Sequence, residues 1–125
     1  MKAKILIVDD SSLARRTTRQ ALEANGYVVE EAKDGADALE RYFLQRHELV
    51  ILDMVMTGMY GLEVLAKMRE LNPDVRVIVA TADIQSSTRE QVRAAGAAAF
   101  VNKPINRATL NELVSRTLAG EVVWS

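Results

Sequence analysis

Two acidic clusters close two apolar runs: Asp9-Asp10 follows Ile5-Leu6-Ile7-Val8, and Asp53 follows Leu49-Val50-Ile51-Leu52. If those runs are neighbouring parallel strands, their carboxyl ends bring three carboxylates into one small pocket. Like charges held a few ångström apart repel, so each carboxylate resists ionising unless a cation or hydrogen-bond donors compensate. A divalent metal is the obvious remedy. Two further runs end in polar residues, Thr81 after 75–80 and Lys103-Pro104 after Phe100-Val101-Asn102, which adds a hydroxyl and an ammonium to the same edge. That inventory suits phosphoryl transfer: a carboxylate can attack phosphorus, magnesium held by carboxylates can neutralise phosphoryl oxygens, and a lysine and a threonine can take the remaining ones.

The elements that must position these side chains follow from periodicity. Short apolar or β-branched runs at 4–8, 27–31, 49–52, 75–80 and 98–101 read as strands, with helix-period segments between them. The first helix, 12–25, carries Leu13, Ala14, Ala21 and Leu22 on one side, has Arg15, Arg16 and Arg19 elsewhere, and stops at Asn25-Gly26. Asp34-Gly35 opens the second, with an expected buried stripe of Ala36, Leu39 and Phe43. The loop Thr57-Gly58-Met59-Tyr60-Gly61 leads into a third helix bearing Leu62, Leu65, Met68 and Leu71, which Asn72-Pro73 terminates. A fourth, 86–95, has Val92 as its one large apolar residue and is expected to be loosely held. Leu110, Leu113, Val114, Thr117 and Leu118 make the last helix the clearest amphipathic one, and Gly120 ends it. Such alternation predicts an α/β domain, a parallel sheet covered by helices on both faces.

Composition narrows the classes of function. The 125 residues are 49% hydrophobic, which suits one domain with one core, and no linker or repeat interrupts the pattern. With 16 Lys+Arg against 17 Asp+Glu, the net charge of -1 creates no field that would draw in nucleic acid or an anionic membrane. The start, Met1-Lys2-Ala3-Lys4-Ile5, runs into a strand without a signal-peptide pattern, no apolar stretch is long enough to span a bilayer, and a cytoplasmic protein is expected. The lack of cysteine excludes disulfides, thiolate metal sites and a cysteine nucleophile.

Taken in order along the chain, Asp9-Asp10, Asp53-Met54-Val55-Met56 with Gly61 beyond, Thr81-Ala82 and Lys103-Pro104 resemble the receiver domains of two-component response regulators, of the CheY-like single-domain type. Each element is weak alone; the ordered set is specific. The resemblance implies a flavodoxin-like, doubly wound five-stranded parallel sheet of order 2-1-3-4-5 with five helices, a receiver domain over 1–120 and a short tail over 121–125. It implies that Asp53 takes a phosphoryl group from a phosphohistidine on a histidine kinase or histidine phosphotransfer protein. Asp10 would bind Mg2+ directly, Asp9 through a metal-bound water, and the Val55 backbone carbonyl would be a further ligand. Lys103 would pair with the phosphoryl group, Thr81 would be the switch hydroxyl, and Phe100 the aromatic that follows it. A cis peptide before Pro104 would aim Lys103 at the site. The chain would then pass a signal to a protein target, without contacting nucleic acid or membrane itself and without being an enzyme beyond its own phosphotransfer and dephosphorylation.

Three positions depart from the usual pattern: Thr57 stands where many receivers have proline, giving a less rigid loop, Val55 is apolar, and Phe100 lacks the hydroxyl of the tyrosine in CheY-type switches. Rival readings are a receiver fragment of a longer transcriptional regulator, a phosphorelay intermediate, and a small-molecule phosphatase with Asp53 as nucleophile. The phosphatase reading lacks a general acid, since Val55 occupies the position two residues on, and 125 residues leave no room for a substrate-enclosing cap. Taken singly, the residues have ordinary explanations. Asp9, Asp10, Asp34 or Asp83 can cap helices, Lys103 can be a solvated lysine, and Phe100 can simply pack. His47, among Gln45, Arg46 and Glu48, reads as a surface residue, and Met54, Met56, Met59 and Met68 as gap fillers. Trp124 could pack locally or fray.

Overall fold

A computed structural model describes residues 3–56, 58–82 and 86–123; Thr57, Asp83 and Trp124 lie outside the described residues. Strands β1 (Lys4–Val8), β2 (Val28–Ala32), β3 (Leu49–Asp53), β4 (Val77–Thr81) and β5 (Ala99–Asn102) alternate with helices α1 (Ser12–Glu23), α2 (Gly35–Gln45), α3 (Gly61–Leu71), α4 (Ser86–Ala94) and α5 (Arg107–Leu118). All strands are parallel, in the order β2-β1-β3-β4-β5. This is the doubly wound α/β sheet that the sequence implied.

Side chains alternate across the central strands. Ile5, Ile7, Leu49, Ile51 and Ile78 enter one core with Ala21 and Leu22 of α1 and Leu110, Leu113 and Val114 of α5. Leu6, Val8, Val50, Leu52, Val77 and Val79 enter the other, with Tyr42 of α2, Val64, Leu65 and Met68 of α3 and Val92 of α4. Helices on both faces explain why these strands are apolar throughout instead of alternating with polar residues. Each fully buried aliphatic side chain contributes roughly 1.5–3 kcal/mol, so the two cores hold the central strands rigidly.

Side-chain caps fix the starts of α1, α2 and α5. Ser11 accepts from the Ala14 N–H, Asp34 from the Asp37 N–H at 2.8 Å and Asn106 from the Thr109 N–H at 2.7 Å. In α4, Thr88 and Val92 are the buried side chains among the described residues, in keeping with its weak apolar stripe.

Two expectations need correction, the buried stripe of α2 and the surface placement of His47. On α1, Leu13 is 70% exposed and lines a groove with Ile105 and Leu110. On α2 the buried stripe is Gly35, Ala38 and Tyr42, whereas Phe43 is 59% exposed and Ala36 is exposed. Both stripes have helical spacing; the rotation is set by Gly35, where an added Cβ would stand 2.7 Å from Val64 and 2.8 Å from Met59. On α3 the buried residues are Gly61, Val64, Leu65 and Met68, and Leu71 is exposed near the helix end. His47 is buried, its Nε2 lies 2.6 Å from Glu30 Oε1 on β2, and its ring stacks on Tyr42. Its polar sequence neighbours concealed a partner that comes from another strand.

The corrected stripe predicts that Tyr42→Ala lowers unfolding stability in urea by about 3 kcal/mol or more, through a core cavity and loss of the 3.0 Å bond donated by Asn72 Nδ2 to the Tyr42 hydroxyl. Phe43→Ala should cost less than about 1 kcal/mol.

Candidate functional site

Register brings the acids together. β1 pairs with β3 so that Val8 lies opposite Leu52; the next residues on the two strands, Asp9 and Asp53, therefore leave the sheet side by side. Asp9, Asp10 and Asp53 each offer a carboxylate oxygen, and these oxygens lie within 4.8 Å of one another. Asp9 is buried, the Asp53 carboxylate is 12% exposed, and Asp10 is exposed to solvent.

Lys103 reaches the cluster from the end of β5, with Nζ 2.5 Å from Asp9 Oδ2 and 3.6 Å from Asp53 Oδ2. Its own N–H donates to the Thr81 carbonyl at 2.8 Å, and the Lys103-Pro104 peptide is cis, as the resemblance implied. Thr81 is buried at the last position of β4, one residue beyond Ala80, the partner of Asp53. Phe100 sits on β5 opposite Val79, partly buried against the α2–α4 core, with the Arg89 guanidinium 5.9 Å from its ring centroid. The Val55 N–H donates to Asp53 Oδ1 at 3.4 Å, and the Val55 side chain is 58% exposed.

Gly61 has a steric role. Its N–H donates to the Met54 carbonyl at 2.9 Å, and a Cβ there would stand 2.7 Å from the Asp53 carbonyl oxygen and 2.7 Å from the Met54 Cα. A side chain at this position would push α3 off the strand end that carries Asp53. Met54 and Met56 are buried, as gap fillers would be.

Two contributors escaped the sequence reading. Arg15 of α1 donates through Nη1 to the Asp9 carbonyl at 2.6 Å and through Nε to Glu31 Oε1 of β2 at 3.0 Å. Periodicity marked Arg15 only as polar; an arginine one helical turn after an acidic strand end was the available signal.

Burial raises the Asp53 pKa above its ordinary value; the Lys103 charge opposes that shift, and the Asp9 charge adds to it. A set of three carboxylates is an all-oxygen donor set for a hard cation. Mg2+ fits it, since it binds through one or two carboxylates and keeps several waters, so not every oxygen must reach it. The Asp53 carboxylate is also a nucleophile next to an ammonium that could receive an anionic group.

The family model for the response regulator receiver domain matches residues 5–115. The chain belongs to that family: it is a receiver domain of two-component response regulators. Among curated relatives, the response regulator MprA of Mycobacterium ulcerans is 38% identical over 119 residues, covering 95% of this chain and 50% of that protein. The MprA of Mycobacterium tuberculosis is 37% identical over the same length. This chain thus spans about half the length of the curated relatives it matches. Among solved structures, a CheY-like receiver domain protein from Methanospirillum hungatei superposes with a TM-score of 0.92 at 31% identity, covering 96% of each chain. The signal receiver domain of NarL from Mycobacterium tuberculosis gives 0.88 at 31% identity, covering 96% of this chain and 98% of that one. Among the described residues no helix is long and apolar enough to cross a membrane.

The raised Asp53 pKa fixes a sign. The folded state keeps its proton to higher pH than the unfolded state, so stability falls as pH rises from the ordinary aspartate value through the raised one. Asp53→Asn should therefore raise the thermal midpoint by a few degrees at neutral pH in EDTA. The gain should shrink as pH falls through the raised value to the ordinary aspartate one; a gain that grows over that window would contradict the assignment.

Proposed function

We propose that Asp53 is the phosphoacceptor of a signalling switch, taking a phosphoryl group from a phosphohistidine on a histidine kinase or histidine phosphotransfer protein. A donor N–P bond breaks as an O–P bond forms to a carboxylate oxygen of Asp53, and the imidazole leaves. The observation that carries this reading is the largely buried Asp53 carboxylate, which shares one strand edge with Asp9, Asp10 and Lys103. Bound Mg2+ would neutralise charge on the phosphoryl oxygens; Asp10, Asp53 and the Val55 carbonyl would hold it directly and Asp9 through water. Lys103 pairs with the phosphoryl group, which draws its ammonium from Asp9 toward Asp53. Thr81 then donates to a phosphoryl oxygen, Phe100 follows, and α4 shifts, so that a downstream protein reads the surface around α4, β5 and α5.

In this reading residues 1–120 form the receiver unit and 121–125 a short tail, the protein works in the cytoplasm, and it catalyses only its own phosphorylation and dephosphorylation. A second reading is favoured by one observation. Because the curated relatives are about twice as long, this chain could be the receiver part of a longer regulator whose output lies elsewhere.

Incubation with phosphoramidate and Mg2+ should add one phosphoryl mass to the wild type and none to Asp53→Asn, and EDTA should abolish labelling. Equal labelling of both proteins would move the acceptor elsewhere. Beryllofluoride with Mg2+ should change amide exchange across 86–102, and unchanged protection there would remove the switch from the proposal.

A further inference from the structure

We propose that Arg15 is a positioning residue for the acidic site, acting through the peptide that joins Asp9 to Asp10. The proposal rests on the reading that this site binds Mg2+.

Every hydrogen-bonding group of Asp9 is engaged. Its N–H donates to the Ala32 carbonyl at 3.2 Å, Oδ1 accepts from the Ser11 N–H at 2.9 Å, Oδ2 accepts from Lys103, and its carbonyl accepts from Arg15 Nη1 at 2.6 Å. The last of these bears on Asp10. A peptide unit is planar, so fixing the Asp9 carbonyl fixes the plane from which Asp10 departs. Asp10 is exposed and lies two residues beyond the end of β1. Arg15 constrains the peptide that leads into it from outside the sheet.

Arg15 is itself held in place. Its side chain is 16% exposed, and Nε meets Glu31 Oε1 at 3.0 Å, while the other Glu31 oxygen receives Arg19 Nη1 at 2.8 Å. Arg19 and then Arg15 keep the Glu31 carboxyl below its ordinary pKa, so it stays ionised as the anchor. Arg19 also meets Glu23 at 3.2 Å, which ties the chain of charges along α1 to the end of β2. Because Glu31 balances the Arg15 charge, what reaches Asp9 is chiefly a directed N–H. A planar guanidinium can donate to a carbonyl and a carboxylate at once in a fixed geometry, which an ammonium cannot reproduce.

The alternative role of Arg15 predicts the opposite sign. A cation beside three carboxylates competes with Mg2+ by charge alone, so its removal would tighten metal binding. A positioning role predicts weakening, since residues that orient ligands typically govern about tenfold or more in metal affinity.

The test is calorimetric titration of the intact chain with MgCl2, with thermal midpoints recorded in EDTA. Arg15→Ala should weaken Mg2+ binding about tenfold. Arg15→Lys should not restore it, Glu31→Gln should weaken it in the same direction, and excess Mg2+ should recover phosphoramidate labelling of Asp53. Unchanged or tighter binding by a folded Arg15→Ala overturns the proposal. If Arg15→Ala fails to fold, Arg15→Lys decides, since it keeps the charge and loses the planar fork; wild-type affinity there overturns the proposal equally. Wild-type protein that binds no Mg2+ would instead remove the reading beneath, together with this inference.

Discussion

The acidic site exists because β1 and β3 are adjacent, parallel and in a register that sets Val8 beside Leu52. A slip of one residue would turn each side chain of a strand to the opposite face, and would move Asp9 away from Asp53 while sending Ile7 and Ile51 into the wrong core. The apolar alternation across the sheet is therefore also what brings the charges together. Repulsion among the carboxylates opposes folding locally; the two buried cores outweigh it, and Lys103 offsets part of it with contacts to both Asp9 and Asp53.

This division places rigidity and readiness for change in different parts of the molecule. The central strands are buried on both faces and hold Asp9, Asp53 and Thr81 at fixed heights along the edge. Gly61 allows α3 to start against the strand end at Asp53, so the third strand and its helix meet without an intervening side chain. α4 has a thinner hold, with Thr88 and Val92 its buried side chains among the described residues. A free-energy change of a few kcal/mol at the edge can shift such an element without disturbing the sheet.

Electrostatics at the edge is organised in two tiers. Lys103 meets the carboxylates directly, whereas Arg15 and Glu31 act on backbone, one through the Asp9 carbonyl and the other by holding Arg15. The Asp53 carboxyl is left with a raised pKa, since burial of its charge outweighs the attraction of Lys103. Charge that the protein leaves incompletely compensated is what a cation can stabilise on binding.

Asp9, Asp10, Asp53, Thr81 and Lys103 could be picked out from the chain because each ends an apolar run, and a parallel sheet with crossover helices puts all such ends on one edge. Strand and helix order was legible for the same reason: an apolar run with a polar, glycine- or proline-containing stop reports locally on its element. What the sequence could not reveal depended on partners distant along the chain. His47 looked solvated until β2 supplied Glu30, and Phe43 was expected in the buried stripe that Tyr42 occupies once Gly35 sets α2 against α3. Arg15 belongs with these, since its two acceptors lie at the ends of two different strands. The residue pattern by itself determined which groups could do chemistry and which edge would carry them. Only tertiary packing decided the rotation of each helix and the partner of each buried charge, because both are set by contacts between segments that share no local signal.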